Sequence, residues 1–276
     1  MLRFDNVTRT YGARVAVDSL NLHIDHGELF ALLGHNGAGK TTTIKMLVGL
    51  LRPTSGEIRV GPYNVVENPR EVSRLIGYVP DLPFLYDKLS GREFLRFVAD
   101  MYGMSESAAN EAVTREADRF QLNDFLDQLT ESYSHGMRQR TVFAAALLHQ
   151  PELLVVDEPM VGLDPHSIRL VKDLLKEYAE SGKAVLMSTH TLEVAEAICD
   201  RVGVMKSGKI VFEGNVEQMR QLNPSASWRL PSSSSRTSRS GRRWSSRRRS
   251  SSETRGSKTH SSGSASPAAS GFPAPG

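Results

Sequence analysis

The nine residues Gly34-His35-Asn36-Gly37-Ala38-Gly39-Lys40-Thr41-Thr42 constrain this chain more than any other stretch. They follow an apolar run, Leu29-Phe30-Ala31-Leu32-Leu33, and precede Thr43-Ile44-Lys45-Met46-Leu47-Val48, which has a helical pattern. Strand, glycine-rich turn and helix together form the context of a phosphate-binding P-loop. Glycines let the backbone curl so that successive N–H groups point inward, and the new helix adds its positive end. Lys40 can then reach the outer phosphates as a point charge, and the Thr41 hydroxyl can hold Mg²⁺. The plain alternative is an ordinary glycine turn before a core helix, and the flanking strand and helix argue against it.

Further along, Leu153-Leu154-Val155-Val156 is apolar and too short for a helix, so it reads as a strand buried on both faces. It ends in Asp157-Glu158-Pro159. Ala184-Val185-Leu186-Met187 is a second such strand, ending at Ser188-Thr189-His190, and Leu75-Ile76-Gly77-Tyr78-Val79-Pro80 is a third, ending at Asp81. Between the first two, Asp164-Pro165 supplies an N-cap and an N1 proline for a helix that closes at Gly182. Strands alternating with helices predict a parallel α/β sheet with its ligands at the carboxyl ends of the strands. Lys40, Asp81, Glu158 and His190 all fall at such ends.

The segments before the P-loop differ. Leu2-Arg3-Phe4, Val15-Ala16-Val17 and Leu20-Asn21-Leu22 alternate, which predicts antiparallel strands with Tyr11-Gly12 in the turn between them. Tyr11 could stack on adenine or be a simple turn tyrosine. From Asp81 to Gln150 the pattern is helical. Ser90-Gly91-Arg92-Glu93 reads as a capping box with Gly103 as the stop, a second helix spans Ala108–Phe120, and a third begins after Ser134 and ends before Pro151. Val202 to Phe212 reads as a closing hairpin, and the domain is expected to end near Leu222.

Composition divides the chain at that point. Residues 224–276 hold 10 of the 34 Lys and Arg, one acidic residue and 19 serines, leaving a net charge of −6 on 1–223 against +9 on the tail. The 223–276 tail therefore reads as disordered. Its charge would also suit RNA or anionic lipid, and a neighbouring reading frame can encode an apolar continuation, so an out-of-frame origin stays open. Cys199 is the only cysteine and reads as a lone buried thiol. No apolar run of about 18 residues is present, so no membrane span is expected. The N-terminus lacks a secretory pattern, which leads to the expectation that the protein stays where it is made.

Taken together, residues 1–222 resemble the ATP-binding subunit of ABC transporters, with the motifs in the family's order. After the P-loop, Asp81 stands where the family has its Q-loop glutamine. Tyr133-Ser134-His135-Gly136-Met137-Arg138-Gln139-Arg140 resembles the signature motif in a diverged form. Leu153 to Pro159 resembles Walker B and the catalytic glutamate, Gly162-Leu163-Asp164 the D-loop, and His190 the switch histidine. Asp81-Leu82-Pro83-Phe84-Leu85-Tyr86 and Leu89 to Glu93 are similar to subunits of ABC-2-type exporters.

The resemblance implies an α/β fold, a P-loop NTPase core with an N-terminal antiparallel β subdomain and a helical subdomain inserted at about 82–150. It implies ATP and Mg²⁺ as ligands. Glu158, His190 and Asp81 would act in catalysis. Thr41, Asp157 and Asp81 would hold the metal, and Tyr11, Gly34 to Thr42, Ser134, Gly136 and Asp164 the nucleotide. The partners it implies are a second ATP-binding subunit, identical or not, in a head-to-tail pair, and a transmembrane permease on a separate chain, with no specific nucleic acid. Residues 82–140, with Phe84, Leu85, Tyr86 and Phe94, would dock on that permease, placing the protein in the cytoplasm against the inner face of the membrane. Two alternatives remain at this point. A soluble ABC ATPase acting on nucleic acid or ribosomes usually carries two cassettes or a long insertion, and neither is present. A regulatory ATP-binding module with little turnover is left open by Asp81 and the altered signature.

Overall fold

Three short apolar runs form the centre of the molecule because each is covered on both faces. Every residue of β3 (Leu29–Leu33), β7 (Leu153–Asp157) and β8 (Ala184–Thr189) is buried. The computed structural model describes residues 1–221; the tail expectations for 223–276 lie outside them. The three strands join β6 (Ile76–Val79), β9 (Arg201–Lys206) and β10 (Lys209–Asn215) in a six-stranded sheet of order β10-β9-β3-β8-β7-β6. All pairs are parallel except the β9–β10 hairpin.

Strand side chains alternate between faces, and the core divides accordingly. Leu29, Ala31, Leu33, Leu154, Val156, Val185 and Met187 belong to one cluster, with the helices α3 (Gly91–Met101), α4 (Glu106–Arg119), α5 (His135–Leu147), α6 (Pro165–Glu180) and α7 (Leu192–Ile198). Phe30, Leu32, Leu153, Val155, Ala184 and Leu186 face the other way. They pack on α1 (Lys40–Leu47), α2 (Pro69–Leu75) and a second, antiparallel sheet of β1 (Leu2–Tyr11), β2 (Arg14–Ile24), β4 (Ser55–Val60) and β5 (Tyr63–Asn64). A short helix, α8 (Val216–Gln221), follows β10.

Helices α3, α4 and α5 stand between β6 and β7 in the chain. At the start of α3 the Ser90 hydroxyl accepts from the Glu93 N–H (3.2 Å), and Glu93 Oε2 accepts from the Ser90 N–H (2.8 Å), a reciprocal capping box. The second helix runs Glu106–Arg119, two residues earlier at its start than its apolar pattern predicts, because the Ser105 hydroxyl caps it by accepting from the Ala108 N–H.

The sequence signals miss α2 and α7. Each is seven residues long, too short to establish a helical period, and each draws its stability from packing rather than propensity. The Leu75–Pro80 strand is shorter than expected, since Leu75 ends α2 and β6 begins at Ile76. Gly77 holds β6 flush against the end of α5. A Cβ there would overlap Ala146 O and lie 2.7 Å from Pro151 Cγ.

Candidate functional site

Four neighbouring parallel strands, β3, β8, β7 and β6, end at the same edge of the sheet. The residues that follow them include Lys40, His190, Glu158 and Asp81. A cavity of about 550 Å³ opens there, lined by His35, Asn36, Gly37, Gly39, Lys40, Thr41, Thr42, Asp81 and Glu158. Gly34 and Ala38 lie behind this lining. A Cβ at Gly34 would meet Met205 O, and the fully buried Ala38 accepts the Gly208 N–H at its carbonyl, 2.8 Å away. Gly39 has φ +117 immediately before α1, a conformation that side chains other than hydrogen rarely adopt.

Lys40 is 5% exposed, and its Nζ donates to Gly34 O at 2.7 Å and pairs with Glu158 Oε1 at 3.1 Å. The other Glu158 oxygen, Oε2, lies 2.8 Å from His190 Nδ1. An ionised carboxylate only accepts, so Nδ1 carries the proton in this contact. Glu158 itself adopts φ +50, and its N–H donates to Ser188 O (3.2 Å) and Ser188 Oγ (3.1 Å). A left-handed conformation at a non-glycine residue costs on the order of 1–2 kcal/mol, here at the residue that links Lys40 to His190.

Asp157 is fully buried. Its Oδ1 accepts a short hydrogen bond from the Ser188 hydroxyl, and its Oδ2 is buried with no hydrogen-bond partner. Burial raises the Asp157 carboxyl above its ordinary range. The Ser188 and Thr41 hydroxyls oppose that shift, and the charges of Asp81 and Glu158 add to it. An unpartnered buried carboxylate oxygen near a threonine hydroxyl suits a hard cation. Among the described residues no cluster of three or more His, Cys, Asp and Glu forms a metal cage. One carboxylate, one hydroxyl, phosphate oxygens and water are the donor set of Mg²⁺ rather than of a caged metal.

Other predicted residues stand apart from this cavity. Ser134 caps α5, its hydroxyl accepting from the Met137 N–H at 3.3 Å, and neither it nor Gly136 lines the cavity. Asp164 caps α6, with Oδ1 accepting from the His166 and Ser167 N–H groups and Oδ2 from the Ser167 hydroxyl. These contacts hold its carboxyl below the usual range. Tyr11 ends β1 half exposed, with the Arg9 guanidinium 4.6 Å from its ring centre, and it does not line the cavity. His135 lies over Gly162 and donates from Nε2 to Val161 O at 3.2 Å, tying the start of α5 to the segment before Asp164.

Residues 17–161 match the ABC transporter family. The chain belongs to that family. It is 37% identical over 224 residues to the bacitracin transport ATP-binding protein BcrA of Bacillus licheniformis, covering 81% of this chain and 72% of the relative. It is 36% identical over 219 residues to the Nod factor export ATP-binding protein I of Cupriavidus metallidurans, covering 79% and 72%. It also resembles the dimeric structure of a post-hydrolysis state of an ATP-binding cassette bound to ADP and Pi, with 26% identity, a TM-score of 0.70, and coverage of 78% of this chain and 99% of that one. The protein is therefore an ABC-type ATPase subunit with a P-loop NTPase core, and it binds nucleotide.

Several residues of this ABC cassette were not legible as site residues. Ser188 holds both Asp157 and the Glu158 backbone, although only its place at a strand end was visible. Arg14, Val15, Ala16, Ser207 and Gly208 complete the cavity from two segments distant in sequence. The surface next to Asp81 also departs from expectation. Leu82, Phe84, Tyr86, Phe97 and Met101 are exposed and share edge-to-face ring contacts, Phe84 with Tyr86 and Tyr86 with Phe97. Leu85 and Phe94, expected on that surface, are buried in the helical layer because each is turned toward the core of α3 to α5. Among the described residues no helix is long and apolar enough to cross a membrane.

Proposed function

We propose that the chain is the ATP-hydrolysing subunit of an exporter whose permease is a separate chain, and that two such subunits close head to tail on ATP. The observation that carries this reading is the double hold on Glu158, by Lys40 and by His190, at the mouth of the P-loop cavity. Phosphate oxygens are the ligands that Lys40 and the inward N–H groups are built to bind. When a triphosphate takes the ammonium of Lys40, Glu158 becomes free to orient the attacking water and accept its proton, and His190 keeps the carboxylate in place. Asp157 and Thr41 would hold Mg²⁺, with the Asp81 charge nearby. When bound, Mg²⁺ would supply charge neutralisation on the phosphates.

The pairing of two subunits is supported by the place of Ser134 and Gly136, a capped helix start outside the cavity of its own chain. In a head-to-tail pair each helix start faces the γ-phosphate held by the partner, and Asp164 lies at the same junction. A similar cassette bound to ADP and Pi is dimeric, which is consistent with two subunits pairing. The exposed apolar surface from Leu82 to Met101 suits a permease, and one relative's name specifies export. Docking there would hold the subunit on the inner face of the membrane.

The test uses the full chain as Glu158→Gln, which slows hydrolysis. Light scattering with Mg-ATP is expected to show a dimer mass, and without nucleotide a monomer mass. A monomer under both conditions, at saturating ATP, would overturn the closure scheme.

A further inference from the structure

Arg14 belongs to none of the motifs, yet it lines the same cavity as Gly39 and Lys40. It opens β2 and is the cross-strand partner of Tyr11 at the turn between β1 and β2. Arg14, Val15 and Ala16, the first three residues of β2, together line this wall. This wall is locked to the P-loop by backbone contacts. The Gly208 N–H donates to Ala38 O at 2.8 Å, the Asp18 N–H donates to Gly208 O at 2.9 Å, and a Cβ on Gly39 would lie 2.7 Å from Ala16 O. The start of β2 therefore holds a set distance from the phosphate cradle.

The nearby cations differ from Arg14 in having partners. Lys40 is paired with Glu158, and Arg9 lies on the Tyr11 ring and donates to Arg52 O. Among the described residues the Arg14 guanidinium has no carboxylate, carbonyl or ring partner. An unpaired arginine, whose guanidinium fork matches phosphate geometry, thus lines a cavity beside the P-loop, on a strand whose backbone is fixed to it.

We propose that Arg14 is a nucleotide-binding residue that pairs with the α-phosphate. The proposal rests on the reading of this cavity as the nucleotide site. Arg14 and Tyr11 face each other across one turn, and only Arg14 reaches the cavity. A nucleotide with its outer phosphates at Lys40 and its base at Tyr11 must run past Arg14, which places the guanidinium beside the inner phosphate. A contact to that phosphate acts on ATP and ADP alike, whereas a contact to the γ-phosphate acts on ATP alone.

Calorimetric titration of the full chain with Mg-ATP and with Mg-ADP tests this, using Arg14→Gln, Arg14→Lys and, separately, Lys40→Ala. Arg14→Gln is expected to weaken both nucleotides by the same factor, about tenfold for one lost charge-assisted hydrogen bond. KM for ATP should rise by that factor with kcat changed less than about twofold, and Arg14→Lys should restore part of the affinity. Unchanged affinities in Arg14→Gln would overturn the proposal, as would a loss confined to ATP. Retained affinity in Lys40→Ala would instead overturn the underlying reading of the cavity.

Discussion

The Lys40 ammonium and the Glu158 carboxylate form an ion pair at 3.1 Å, joining the first residue of α1 to the residue after β7. The P-loop cation and the carboxylate proposed to orient the attacking water thus share one contact, which phosphate must compete for. Because both groups are largely shielded from solvent, removing either leaves the other costly to keep charged.

Glu158→Gln keeps the side-chain volume and an oxygen for His190 but removes the carboxylate proposed as the base. ATP hydrolysis should fall by at least about 100-fold, the usual share of a positioned general base, while ATP binding persists. Phosphate release and nucleotide titration on the same preparation measure the two quantities. Turnover at the parent rate would remove Glu158 from the catalytic role.

Asp157 makes the opposite pH prediction from a salt-bridged carboxylate. Its folded-state affinity for protons is raised, so the folded chain binds more protons than the unfolded one from the ordinary aspartate range upward to the raised value. Stability is lost as pH rises through that window, and the cost remains at neutral pH. Asp157→Asn should therefore raise the melting temperature of the nucleotide-free protein at pH 7, by about 2–4 °C for each 1 kcal/mol relieved. The gain should shrink on acidification toward pH 4. The same variant should lose the extra stabilisation that Mg²⁺ gives over ATP alone. Melting curves across pH, with and without Mg-ATP, would show a flat difference if burial of the charge were not the cause.

Ser134→Ala separates binding within one chain from assembly between chains. Loss of the cap should cost about 1 kcal/mol of stability. Nucleotide affinity of the monomer should stay as it is, because Ser134 does not line the cavity of its own chain. ATP-dependent dimer formation and turnover should both drop. Equal loss of monomer affinity, read by titration at low protein concentration, would place Ser134 in the same pocket as Lys40.

Gly77→Ala tests the junction of β6 with the helical layer. A methyl group there overlaps Ala146 O and crowds Pro151, and neither backbone nor proline ring can swing aside. A destabilisation of about 1–3 kcal/mol is expected, visible as a lower denaturation midpoint in urea. A midpoint equal to the parent's would show that α5 can retreat from the strand.

The nucleotide end of the molecule was unusually legible. Consecutive backbone N–H groups cradle phosphate, so the Gly34 to Thr42 stretch announces itself in adjacent residues. The buried strands β7 and β8 were visible as apolar runs, with Asp157, Glu158 and His190 at their ends. Weaker local signals hid other parts. Helices α2 and α7 are too short to show a period, and the apolar pattern of Glu106–Arg119 begins two residues after the helix itself. Leu85 and Phe94 could not be sorted from Phe84 and Tyr86 by sequence, since hydrophobicity alone does not say which way a side chain turns.

By itself the sequence determined the phosphate cradle, the alternation of strand and helix, and the carboxylates at the strand ends, because each depends on neighbours a few residues away. The tertiary structure decided which distant groups finish the site: Ser188 beneath Asp157, Arg14 and Gly208 beside the P-loop, and Ser134 outside it. Those contacts depend on strand register and on which face of the sheet each segment covers. Such choices are made by burial across the whole core, where the free energy lies in contacts between residues far apart in the chain.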